Sequence, residues 1–141
     1  MRIIIRVCFG LYLGILSVRD IRKREIPLLL LGLGLVFVPL FILSDAHEGI
    51  SGYLLSMIPG VVFLVISYLS RGQLGQADAG VLICVGLCIG FEAVIAVISV
   101  SLISIALFSM VMLIVGKLNR KSTLPYIPFV LLGYIFYIFM I

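Results

Sequence analysis

Charge is scarce in this chain. Asp, Glu, Lys and Arg make up 11% of the 141 residues, whereas a soluble domain keeps roughly a quarter of its residues charged to cover its surface. Histidine is scarcer still. The single His47 excludes a His-Glu-x-x-His zinc site and reads as a solvated loop residue rather than a catalytic base. The three cysteines, Cys8, Cys84 and Cys88, all lie in apolar runs, and no Cys-x-x-Cys pair exists. A disulfide framework and a zinc knuckle are therefore excluded, and the thiols read as small packing residues. No Gly-x-x-x-x-Gly-Lys-[Ser/Thr] phosphate loop, internal repeat or low-complexity tract occurs.

What fills the chain instead is apolar surface: 64% hydrophobic residues and a mean hydropathy of +1.40. That composition predicts an integral membrane protein with one membrane-embedded domain over residues 1–141. The formal charge of +4 does not indicate nucleic acid, because the cations sit between apolar runs, where membrane topology explains them.

A bilayer core about 30 Å thick needs about 20 apolar residues in a helix. Runs of suitable character cover residues 3–18, 27–43, 53–70, 79–91, 93–115 and 125–141. The first has a basic start but no small-x-small cleavage site before Arg19, so it reads as a retained helix rather than a signal peptide. Pro27 suits a helix start, and Pro59 predicts a kink in the third run. Residues 79–115 are too long for one crossing, and the expected break is a tight turn near Gly90-Phe91-Glu92. Gly10/Gly14 and Gly86/Gly90 match the small-xxx-small spacing that lets helix backbones approach. The expected fold is thus all-α, a polytopic bundle of about six transmembrane helices.

Its orientation follows from the cations. With the N-terminus outside, the inner side holds Arg19, Arg22, Lys23, Arg24, Arg71, Lys117, Arg120 and Lys121, while Asp45, His47, Glu48 and Glu92 lie outside. Two polar interruptions then share the cytoplasmic face. One is Arg19-Asp20-Ile21-Arg22-Lys23-Arg24-Glu25-Ile26-Pro27; the other is Arg71-Gly72-Gln73-Leu74-Gly75-Gln76-Ala77-Asp78. Taken singly, Asp20 reads as a helix-end acid neutralised by neighbouring arginines, and Asp78 as an N-cap of the fourth helix. Together they are the carboxylate pair left once His, Cys and metal chemistry are excluded; Glu25 shares their side but sits among cations in a solvated loop. Two carboxylates can cleave an amide without a cofactor. One ionised Asp activates water, the other holds a proton against the scissile carbonyl, and the pair shares a single proton.

At these residues the chain resembles the type IV prepilin peptidases. Asp20, a basic stretch and Ile26-Pro27 follow the family's first motif, and Gly75-Gln76-Ala77-Asp78 follows its Gly-x-Gly-Asp. Pro125-Tyr126-Ile127-Pro128-Phe129 with Gly133 looks like the family's Pro-rich entry into its last helix. The resemblance implies a cofactor-free aspartic endopeptidase in a bacterial or archaeal cytoplasmic membrane. Its implied catalytic residues are Asp20 and Asp78, with Gly75, Ala77 and Pro27 shaping the substrate's approach. The implied partner is a prepilin-like membrane protein with a basic leader, a small residue before the cut and an apolar helix after it. Three departures stand out: Ala77 for the second Gly, Gly80 for a usual Lys, and Leu28 for an Asn after Ile-Pro. The cytosolic Cys-x-x-Cys segment of larger members is absent between the first two helices, so methyltransferase activity is not expected. The competing readings are another Gly-x-Gly-Asp protease that cuts within the bilayer, and a non-enzymatic membrane scaffold or transporter subunit.

Overall fold

The computed structural model of the chain describes residues 1–44, 49–71, 75–117, 119 and 123–141. Among them there are six α-helices and no strand: α1 (Arg2–Lys23), α2 (Leu28–Ser44), α3 (Ile50–Leu69), α4 (Gln76–Ile89), α5 (Phe91–Ile114) and α6 (Ile127–Met140). The expected turn after the fourth run falls at Gly90. There φ 89° and ψ 172° separate α4 from α5, a conformation open in practice only to glycine. The charged stretch after residue 18 differs from expectation. α1 does not stop at Val18 but continues through Lys23. Arg and Lys are good helix formers, and cations in a last turn complement the helix dipole. Only residues 24–27 then separate α1 from α2.

α4 is the central helix. It packs against α2, α3 and α5, while α1 lies on α2 and α6. Half of its residues are buried, among them Val81, Leu82, Val85 and Cys88, as expected for a short apolar helix with no polar face. The core is completed by Phe9, Leu13 and Leu16 of α1, Val94 and Val97 of α5, and Val130 and Tyr134 of α6. Glycine sets the α3–α4 distance. A Cβ on Gly60 would lie 2.8 Å from the Ile83 backbone nitrogen, and one on Gly86 would strike the Ser56 carbonyl. The Gly10/Gly14 pair works differently. A Cβ on Gly14 would meet nothing within 4 Å, and both glycines line an open groove of about 1030 Å³ between α1 and α6. Hydrogen bonds from two tyrosines tie α1 to its neighbours: half-buried Tyr12 donates to the Leu30 carbonyl (2.7 Å) and buried Tyr134 to the Arg6 carbonyl (3.1 Å).

The outer surface is apolar. α3 (Ile50–Leu69) and α5 (Phe91–Ile114) are long and apolar enough to cross a bilayer, and only about a fifth of each is buried in the protein. α2, α4 and α6 are shorter apolar helices. Leu29, Leu54, Ile103, Met110 and Phe139 all face outward. An apolar surface of this extent needs a partner phase.

Candidate active site

Asp20 and Asp78, 58 positions apart in sequence, line one cavity of about 260 Å³ together with Arg24, Ile26, Gly75, Ala77, Ile105, Thr123, Leu124, Pro125 and Tyr126. Both carboxylates lie just beyond the apolar runs at 3–18 and 79–91. The cavity thus gathers the end of α1, the start of α4, a side chain of α5 and the entry to α6.

Asp20 is 7% exposed, although it belongs to the charged stretch. Its place on α1 continues the stripe of Phe9, Leu13, Leu16 and Ser17, all buried, at spacings that share a helix face. Its Oδ2 accepts a hydrogen bond from the Ile127 N–H at 3.2 Å. Ile127 is the first residue of α6, so Asp20 caps another helix, where an unpaired N–H and the positive dipole end favour a carboxylate. Burial pushes the Asp20 pKa up; the Ile127 N–H, the Arg24 guanidinium and the Tyr126 N–H oppose that rise, in descending order.

Asp78 is held by its own helix. Gly75, not Asp78, is the N-cap of α4, and Asp78 is the third helical residue, its carboxylate facing the Gly75 N–H. That is half of a capping box. A Cβ on Gly75 would come within 2.7 Å of Asp78 Oδ2, so a glycine here leaves room for the carboxylate. Loss of solvent, and then the charge of Asp20, push the Asp78 pKa up to about 7. The two environments therefore differ. Both carboxyls are held above the ordinary carboxylate range, and the two titrate as a pair.

The other expected positions separate. Ala77 lines the cavity and is helical with no positive φ, so glycine's conformational freedom is not needed there. Pro27 does not line it. Its carbonyl accepts the Leu30 and Leu31 N–H groups and starts α2 (2.9 and 3.2 Å), while Ile26 faces the cavity. Gly80 is directed elsewhere: a Cβ there would meet the Leu31 methyls at 3.0 Å. Gly72, Gln73 and Leu74 of the second motif, the loop acids Asp45 and Glu48, His47, and the cations Arg120 and Lys121 lie outside the described residues.

Sequence reasoning did not foresee Arg24, Thr123 or Tyr126 in the cavity. Arg24 Nη1 donates to Thr123 Oγ1 at 2.8 Å across 99 positions. Tyr126 stacks on Phe63 with ring centroids 5.8 Å apart, and its buried hydroxyl lies near Ser101 without a well-formed hydrogen bond among the described residues. The signal for Tyr126 was its place between two prolines before the last run; for Arg24 and Thr123 the sequence held no signal.

No group of three or more His, Cys, Asp or Glu able to hold a metal occurs among the described residues. What the site offers is two carboxylates in unlike surroundings, at the edge of an apolar helical bundle. The model of the type IV leader peptidase family matches residues 7–141. The chain belongs to that family, and with it to the membrane-associated proteases. No curated protein and no solved structure matches it.

Proposed function

We propose that the chain is an aspartic endopeptidase that removes the basic leader of a prepilin-like membrane protein at the cytoplasmic face. The observation that carries this reading is the meeting of Asp20 and Asp78 on one cavity, both raised by burial but held by different hydrogen-bond partners. Asp20, as carboxylate, takes a proton from water while the water oxygen bonds to the scissile carbonyl carbon. Asp78 gives its proton to the carbonyl oxygen. When the tetrahedral intermediate collapses, the C–N bond breaks, the leaving nitrogen takes the proton held by Asp20, and Asp78 recovers its own. The cycle needs no cofactor.

The bundle supports a multi-pass protein of the cytoplasmic membrane, with the N-terminus outside and both aspartates at the inner face. The substrate's apolar helix would lie in the same bilayer and bring its leader to the cavity.

The test is cleavage of a tagged membrane polypeptide carrying a basic leader, a glycine and an apolar helix, in membranes containing the enzyme. Asp20→Asn and Asp78→Asn are each expected to lose at least about 100-fold in rate while accumulating normally. The double variant should be no worse than either single one, because the two act as a unit. Glu25→Gln, in the same loop, should keep activity. Near-normal cleavage by either Asn variant would overturn the two-aspartate mechanism and favour a scaffold role.

A further inference from the structure

The geometry points to Arg24 as the positioning residue that decides which aspartate is ionised: anchored on Thr123, its guanidinium holds Asp20 as the carboxylate and leaves the pair's proton on Asp78. This rests on the two-aspartate reading and adds to it a third residue with a separate role.

Among the described residues the cavity is short of positive charge despite the cation-rich segment beside it. Arg19, Arg22 and Lys23 are exposed on α1 and do not line it. Among the described residues Arg24 is the one cation that does. It reaches this place through an unusual backbone. Arg24 closes α1 in the left-handed conformation, φ 53° and ψ 19°, and its N–H donates to the Asp20 carbonyl at 3.1 Å. Helices commonly end in this conformation, but on glycine, which avoids the Cβ penalty. Retaining arginine there points to a use for its side chain. The chain turns at Arg24, whose exposed guanidinium donates to Thr123 Oγ1 at 2.8 Å. Thr123 immediately precedes Leu124, Pro125 and Tyr126, which line the same cavity. One contact thus ties the end of α1 to the entry of α6.

The groups facing Asp20 can be named element by element. From α1 there is Arg24; from the entry to α6 there are the Ile127 and Tyr126 N–H groups; from α4 there is Asp78. The Tyr126 hydroxyl adds a neutral dipole near Asp78, and α5 contributes the apolar Ile105. The N–H groups favour a carboxylate but carry no net charge. Asp78 opposes a carboxylate on Asp20, since like charges this close do not both ionise cheaply. Among the described residues that line the cavity, Arg24 is the group that adds a net positive charge on the Asp20 side. Gly80, where relatives in the family resemblance carry Lys, cannot substitute for it, because a side chain there runs into Leu31.

The experiment is the pH–rate profile of the full chain in membranes, using the tagged basic-leader polypeptide as probe. Arg24→Gln should move the acid limb up by about 1 pH unit or more, the shift expected when an opposite charge leaves a carboxylate. Arg24→Lys should restore most of the limb. Thr123→Val should move it in the same direction by less, because the guanidinium loses its anchor but not its charge. Arg24→Gly suits the left-handed backbone, so it tests the charge in a chain that closes α1 easily. An even loss of rate at every pH, a change confined to KM, or an unmoved acid limb in both Arg24→Gln and Arg24→Gly would overturn the inference. Asp20→Asn and Asp78→Asn are run beside them. If those are inactive and the Arg24 variants keep the wild-type profile, only this inference fails; if they cleave, the two-aspartate reading fails.

Discussion

The two aspartates reach one cavity from opposite structural circumstances. Asp20 sits in the last turn of α1, and its carboxylate is committed to the first N–H of α6, 107 positions away. Asp78 sits in the first turn of α4 and leans on a glycine three positions before it. One is held by tertiary structure, the other by local structure. The difference carries into electrostatics: burial raises both, but Asp20 has two N–H donors and a cation opposing the rise, while Asp78 has only the Gly75 N–H opposing it and the Asp20 charge adding to it. A general base and a general acid can therefore be built from one residue type, provided their supports differ.

The comparison breaks most visibly when each support is removed in turn. Asp20→Ala takes the cap from α6 and leaves the Ile127 N–H buried, which should cost about 1–3 kcal/mol for the unpaired donor. Asp20→Asn keeps an acceptor oxygen and should cost much less. Both are expected to be inactive, so the measurement is membrane abundance and thermal unfolding in detergent; equal stability of the two would mean that Asp20 does not hold α6. At the other end, Gly75→Ala meets only the movable end of the Asp78 side chain. The fold should persist while the displaced carboxylate lowers the rate by about 100-fold, the scale set by an ångström of misplacement at a reacting group. A Gly75→Ala variant with full activity would show that Asp78 works from a different position.

A smaller effect sharpens the electrostatic half. Asp78 has its pKa raised in the folded protein from the ordinary 3.8 to about 7. A group whose folded pKa lies above its unfolded one contributes stability that is full below the unfolded value and is lost as pH rises through the folded one. Wild type should therefore lose stability between about pH 4 and about pH 8, relative to Asp78→Asn, which is neutral throughout. Unfolding temperatures of the two across that range check this, and a constant gap would mean that Asp78 titrates normally. The same proton is the one donated to the substrate carbonyl, so cleavage should decline as pH rises through about 7.

Much of this arrangement was legible in the sequence, for physical reasons. Membrane helices announce themselves by apolar length, so the six runs survive in the fold, and the break in the 79–115 stretch fell where only glycine adopts the required backbone. Asp20 and Asp78 stood out because the expected topology put the two acids on one face. The end of α1 was not legible, because a charged stretch reads as a loop when hydropathy is the guide, while helix propensity carries it on to Lys23. Thr123 could not be found at all. Its role depends on a side-chain contact 99 positions away, which no local pattern records.

The smallest expected effect concerns Gly80, and it separates sequence inference from structure most cleanly. From the sequence, a lysine at this position would place a cation two residues from Asp78 and change the pH dependence of the pair. In the fold, position 80 points at α2, where a Cβ alone would sit 3.0 Å from both Leu31 methyls. A lysine stem must push Leu31 aside and run between α2 and α4, away from the cavity that Gly75, Ala77 and Asp78 line. Gly80→Lys should then cost about 1–3 kcal/mol through overpacking and leave both limbs of the pH–rate profile where they are. Arg24→Gln, by contrast, leaves the core untouched and moves the acid limb. If Gly80→Lys moves a limb while Arg24→Gln does not, the cation that governs the pair enters from α4, and the contrast between a charged Asp20 end and an uncharged Asp78 end is reversed.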